Sequence, residues 1–405
     1  MTPARARGVA IAGVLAVAWV AAASLLSRTS VPGDLASPRV DVHTVFGAEL
    51  VVRAERYGRF LYVDRVLAEA ALLVTFAVYA RRGARLARES AAGPIGTGML
   101  LGMLGLGLAW VVRLPFSVAA LWWQRRHGLS SRGYVHVLVD GWLGLAGTFV
   151  ALSLALLVLM TLARRLGSWW WLPGSLVLAS VAAALLLVQP YLTSGLEPVG
   201  SPRVERAYEL FRGAQGVGDV PLRVQRVSGD TTLANAYAFG IGPSRRVVLW
   251  DTLLDGRFTP RQVDVVLAHE LGHHSSDHIP KAIGWFTLFA LPGAFLLMLA
   301  TRGRGGIGEP AAIPLALLVV AVLQLLATPA QNLVSRRMEA EADWKALQTT
   351  HDPSAARGLF RELAATSLGD PSPPWWTQPL FGTHPTLADR VAMADAWAAR
   401  RAESR

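Results

Sequence analysis

The sequence predicts a mainly α-helical, polytopic membrane protein with about seven spanning helices and, in its second half, an α+β domain carrying a small β-hairpin. Three observations predict it. Apolar residues make up 53% of the 405 positions and charged ones only 17%, far greasier than an ordinary soluble protein of this size. Seven apolar runs recur along the chain, most of them close to the ~20 residues that cross a hydrocarbon core of roughly 30 Å at 1.5 Å rise per residue. From about residue 196 the composition turns to that of a soluble domain, which the last two runs interrupt.

The runs are Gly8–Leu26, Val66–Ala80, Gly93–Val112, Trp142–Leu162, Trp169–Leu192, Ile283–Ala300 and Ala311–Ala327. The first follows Arg5 and Arg7 and ends in "VAAAS", a pattern shared with cleavable signal peptides. Six further runs behind it favour a retained helix. The stretch 28–62 reads as a polar loop. The second run is the shortest, hemmed in by Asp64, Arg65 and Glu69, with "RFLYV" beside it to lengthen it. These features divide the chain into a membrane part of five helices, 1–195, and a second part, 196–405, interrupted by spans at 283–300 and 311–327.

The net charge of +11 is carried almost wholly by arginine, clustered at the ends of apolar runs: Arg81, Arg82, Arg85 and Arg88, then Arg125 and Arg126, then Arg164 and Arg165. That placement suits lipid headgroups and not nucleic acid, for which no reading motif is present. Arginines fall on both sides of the predicted spans, so charge alone does not orient the chain. There is no cysteine. Disulfides, iron–sulfur clusters and thiol nucleophiles are therefore excluded, and any metal must be held by histidine and carboxylate.

In the second part, Arg203–Arg212 has the spacing of an amphipathic helix and "PLRVQRVS" that of a short strand. Thr232–Phe239 and Arg245–Trp250, joined through Gly240, Gly242 and Pro243, read as the hairpin. A helix then starts with Thr259 as N-cap, Pro260 at the first helical position and Gln262 at the third, a capping box. Val263, Val266, Leu267 and Leu271 form its buried stripe and fix its register.

In that register His269 and His273 stand one turn apart on one face, where two imidazoles can reach the same ion at about 2.0–2.1 Å. Glu270 is rotated to the side, placed to meet a water without ligating the ion. This is the H-E-x-x-H pattern, complete as "HELGH". The bland alternative is a polar tip where a hydrophobic helix meets water. A catalytic zinc usually takes three protein ligands and leaves the fourth position to water, so a third ligand is needed from elsewhere.

Just past the seventh run comes "SRRMEAEADWKAL". Glu339 and Asp343 share a face there, four residues apart, while Glu341 points elsewhere. The pair suits one carboxylate ligand and one carboxylate hydrogen-bonded to the far nitrogen of a ligating histidine. Taken alone, the same residues would make a solvated charged helix.

Together, "HELGHHSSDH", "SRRMEAEAD", "NAYAFG" followed by "RRVVLWDTLL", and "THPTLADRV" resemble the CAAX prenyl protease 1 family of integral-membrane zinc metallopeptidases, with HtpX a more distant relative; H-E-x-x-H followed by E-x-x-x-D is the gluzincin signature. The motifs cover about 196–405, and the earlier part resembles the family in layout alone.

The resemblance implies a gluzincin-like metallopeptidase domain with one Zn²⁺ per chain on His269, His273 and Glu339, Glu270 as general base and Asp343 steadying a ligand. It implies an edge strand at Asn235 that could pair with a peptide, and a role for His384 or Asn235 as donor to the oxyanion. Asn235 as a turn residue and His384 as a helix-entry residue are the plain alternatives. His278 is expected to pack or cap, and His274, which departs from the family pattern, to be a surface group. The resemblance further implies a peptide or protein substrate that is membrane-associated, lipidated or hydrophobic, and a multi-pass protein of a bacterial-type cell membrane with its active site facing the cytoplasm. A membrane sensor built on a peptidase-like domain, or a silent scaffold, would use the same layout without this chemistry.

Overall fold

A computed structural model describes residues 3–35, 37–88, 90–193 and 195–403 of the chain. The side chains of Arg5, Arg7 and Arg88, singled out above for their charge, lie outside the described residues. Each of the seven apolar runs is helical. They fall in α1 (Pro3–Leu26), α3 (Ala48–Arg82), α4 (Gly93–Arg126), α5 (Tyr134–Leu166), α6 (Trp171–Leu192), α9 (His278–Thr301) and α10 (Ile313–Thr350), with a short α2 (Val42–Phe46) before α3.

Among the described residues, α4, α5, α6, α9 and α10 are long and apolar enough to cross a membrane. The expected count of seven would need α1 and α3 as well. Large apolar side chains point outward on this bundle, including Val150, Leu176, Val320 and Leu326. Such a surface would be costly in water and is the ordinary one against lipid tails.

The polar loop expected at 28–62 is a correction: α2 and the start of α3, through residue 62, occupy most of it. Val51, Ala54, Tyr57 and Gly58 of α3 are buried at three- and four-residue spacing, so a helical stripe ran beneath the charged residues.

The second half contributes α7 (Pro202–Ala214), α8 (Pro260–Ser275), α11 (Pro353–Ser367), α12 (Thr377–Phe381) and α13 (Leu387–Glu403). A four-stranded sheet is built from β1 (Leu196–Glu197), β2 (Leu222–Gln225), β3 (Ala236–Phe239) and β4 (Arg246–Trp250), in the order β1-β2-β4-β3. The expected hairpin is β3–β4, antiparallel, with Tyr237 opposite Val248. It is shorter than expected, because Thr231 and Thr232 turn away to bond the carbonyls of Leu129 and Gly128. β2 joins β4 in parallel, and β3 is the edge strand next to α8.

The core of this half centres on Val247, Val248 and Leu249 of β4 and Leu267, Ala268 and Leu271 of α8, all fully buried. The capping box at the start of α8 is formed: the Gln262 N–H donates to Thr259 Oγ1 and the Thr259 N–H donates to Gln262 Oε1. Phe46 and Val51 from the first half belong to the same core.

Candidate metal centre

Two helices make the centre. α8 carries the histidine pair, and α10 runs unbroken from the seventh apolar run through Glu339 and Asp343, about 57 Å of one helix at 1.5 Å per residue. Gly272 lets them meet. A Cβ at that position would sit 3.2 Å from the Cα and 3.3 Å from the carbonyl oxygen of Ala342, tighter than ordinary contact, so a side chain there would need the two helices to give by a few tenths of an ångström.

With the helices this close, His269 Nε2, His273 Nε2 and the Glu339 carboxylate converge. His269 Nε2 lies 3.2 Å from His273 Nε2 and 3.3 Å from Glu339 Oε2, and His273 Nε2 lies 3.7 Å from Glu339 Oε1. One ligand atom from each lies within 4.8 Å of the others, as atoms around a single ion must. Glu339 Oε2 is buried and has no hydrogen-bond partner. An orphaned carboxylate oxygen facing two imidazole nitrogens is a costly arrangement for hydrogen bonding alone and a fitting one for a divalent cation. The donor set, two nitrogens and one oxygen without sulfur, is the one catalytic zinc takes.

Asp343 stands one turn beyond Glu339. Its Oδ1 is 2.9 Å from His269 Nδ1, which fixes the proton on that nitrogen and leaves Nε2 free to bind a cation. The charge of Asp343 is balanced by Arg390 of α13, whose Nη2 and Nε donate to Oδ1 and Oδ2 at 2.6 and 2.8 Å. The guanidinium in turn lies over the Phe360 ring, 4.3 Å from its centre. Arg390 escaped the sequence reading, although it closes the stretch "THPTLADR". The signal was a buried Asp343 that had to find a cation.

Glu270 is 6% exposed, and burial pushes its carboxyl up to about 7; the Ala238 backbone N–H is its hydrogen-bond partner on the sheet. A cavity of about 90 Å³ opens beside it, lined by Asn235, His269, Glu270, His384 and Arg390 among others. His384 is exposed at its mouth, with Nε2 3.2 Å from Glu339 Oε2. Asn235, also exposed, precedes β3, and its carbonyl accepts the Trp250 N–H. Of the seven residues singled out in the sequence, Asn235, His269, Glu270, Asp343 and His384 line this cavity, and His273 and Glu339 join it through their convergence with His269.

Two lesser expectations need comment. His274 is no surface group: it is buried, with Nε2 3.2 Å from the Arg246 carbonyl, so it ties α8 to β4. His278 packs as expected, against His273, and Glu341 points away from Glu339 toward it.

The fold and the centre define a class, a set of membrane-length apolar helices joined to a domain that carries an H-E-x-x-H metal site. Residues 209–398 match peptidase family M48. The chain is 30% identical over 266 residues to the uncharacterized metalloprotease YhfN of Bacillus subtilis, a match covering 61% of this chain and 61% of that protein. It is 28% identical over 172 residues to a CAAX prenyl protease 1 homolog of Oryza sativa, 40% of each chain, and protease HtpX homologs also match. The crystal structure of S. mikatae Ste24p has the same fold, with a TM-score of 0.75 at 16% identity, covering 94% of this chain and 96% of that one.

Proposed function

We propose that the chain is an integral-membrane, zinc-dependent endopeptidase, with residues 1–195 as its membrane scaffold and 196–405 carrying the chemistry. His269, His273 and Glu339 hold one Zn²⁺ per chain. The observation that carries this reading is the convergence of a histidine pair on α8 with the orphaned Glu339 oxygen on α10.

Held by His269, His273 and Glu339, zinc would supply Lewis-acid polarisation of a scissile carbonyl and would bring the pKa of a water toward about 7. Glu270 takes the proton of the attacking water and delivers it to the leaving amine. Its carboxyl at about 7 is poised near neutral pH for both transfers. Asp343 and Arg390 hold His269 in one tautomer and one orientation. His384 and Asn235, on the cavity rim, donate to the oxygen of the carbonyl under attack as it becomes negative.

The substrate is a peptide segment of a membrane-associated, lipidated or hydrophobic protein. β3 is an edge strand beside the cavity, so an extended peptide can align along it while its apolar part rests near the bundle. The name of the Oryza relative points to prenylated substrates as the first to try. The active site faces the cytoplasm in this reading.

The test is Glu270→Gln in the purified full chain with a fluorogenic peptide. Zinc should be retained and cleavage should fall by at least about 10²-fold. Wild-type turnover in that variant would remove Glu270 from the mechanism.

A further inference from the structure

The two histidines of the centre are held from behind in different ways. His269 Nδ1 meets the carboxylate of Asp343 directly. His273 meets a second imidazole: its Nδ1 lies 2.9 Å from His278 Nδ1, and His278 Nε2 lies 3.2 Å from Glu341 Oε2. His278 is 3% exposed and Glu341 is 6% exposed, so this is an internal chain and not a surface contact. Glu341 is anchored further by the Ser30 backbone N–H, 2.8 Å from Oε1, and by Lys281 Nζ at 3.5 Å.

His278 lies five positions after His273, a spacing at which an unbroken helix would not stack the two rings. The chain achieves it by breaking. α8 stops at Ser275, and Asp277 takes the left-handed conformation, with φ 53° and ψ 37°, before α9 begins at His278. Aspartate is one of the few residues other than glycine that visit this region readily. The turn swings His278 back beneath His273, with ring centres 5.0 Å apart and an edge-on angle of 76°.

One set of tautomers satisfies every atom in the chain. A His273 that offers the lone pair of Nε2 to a cation must carry its proton on Nδ1. That proton can only go to His278 Nδ1, which therefore accepts, and the His278 proton then sits on Nε2, aimed at the Glu341 carboxylate. We propose that His278 and Glu341 are the positioning residues of His273, fixing its tautomer and ring angle as Asp343 and Arg390 do for His269, so that the short α8–α9 turn and the segment after α1 bear directly on metal affinity.

This rests on His273 being a metal ligand. Partners behind ligating histidines typically contribute about 10- to 100-fold in affinity. The experiment measures Zn²⁺ affinity of the metal-free full chain in detergent by competition with a chelator of known affinity, alongside thermal unfolding of the metal-free protein. His278→Phe keeps the ring volume and removes both nitrogens, and should weaken zinc binding by about 10- to 100-fold. His278→Asn restores an acceptor near the position of Nδ1 and should stay within about fivefold of wild type.

Equal affinity of His278→Phe and wild type would overturn the proposal, and so would equal weakening by His278→Phe and His278→Asn, which would mark a packing role only. If His278→Phe does not fold, Glu341→Gln decides: about a three- to tenfold loss supports the proposal and no loss overturns it. Wild type that binds no zinc, or His273→Ala that binds it as tightly as wild type, would instead sink the underlying assignment of His273, and the proposal with it.

Discussion

The two ends of α10 use one helix in opposite ways. Toward its N-terminal end, Val320, Val322, Leu325 and Leu326 turn apolar side chains outward, and no acidic or basic residue occurs between Ile313 and Val334. Toward its C-terminal end, Asn332, Glu339, Glu341 and Asp343 are buried and the charges point inward. A helix can afford outward leucine only where lipid replaces water, and inward carboxylate only where cations or donors await it. The change over occurs within a few turns of one continuous helix, which carries Pro329 between its two ends.

The inward end should be the easier to break. Glu339→Ala has the largest expected effect, because it removes the one ligand that α10 supplies. Zinc measured after desalting should fall from one per chain to well below it, and peptide cleavage should be lost; a full complement of zinc in that variant would detach α10 from the centre.

Arg390→Met comes next. It leaves Asp343 as a buried carboxylate without its cation, at a cost of about 3–5 kcal/mol in stability, and frees His269 to turn, weakening zinc binding by about 10- to 100-fold. Both can be read on the same sample, by chemical unfolding and by chelator competition. An Arg390→Met protein with wild-type stability would mean that the charge of Asp343 is balanced elsewhere.

The smallest effect sharpens the comparison at the place where α8 meets α10. Gly272→Ala gains helix propensity worth about 1 kcal/mol but presses a methyl group against the Ala342 backbone, an overpacking cost of about 1–3 kcal/mol. A net loss of about 1 kcal/mol is expected in thermal unfolding, with a few-fold weaker zinc affinity. A gain in stability would show that the contact has slack.

How much of this was legible in the sequence follows from how local each feature is. His269, Glu270 and His273 lie on one turn of a helix whose cap and stripe declare its register, so their geometry could be read without a fold. Glu339 and Asp343 were legible as a pair at helical spacing, but their meeting with α8 depends on Gly272, whose role is a close approach to another helix. Arg390 and the His278–Glu341 chain are tertiary outcomes: one comes from α13, the other from a left-handed residue at position 277 that no periodicity announces.

The helical start of α3 was misread for a different reason. Arg53, Glu55, Arg56 and Arg59 make the segment look solvated, while Val51, Ala54, Tyr57 and Gly58 carry the period that packs it. The sheet was partly legible, since the hairpin showed its turn residues but the parallel partner β2 did not.

The central claim is that two imidazoles from α8 and one carboxylate from α10 surround a single divalent ion. X-ray absorption at the zinc edge of the purified full chain tests it most directly. The account predicts one zinc per chain with light-atom neighbours only, at about 2.0–2.1 Å, including the scattering pattern of two imidazole rings. A wild-type spectrum with no imidazole contribution, or a protein that takes up no zinc at all, would contradict it.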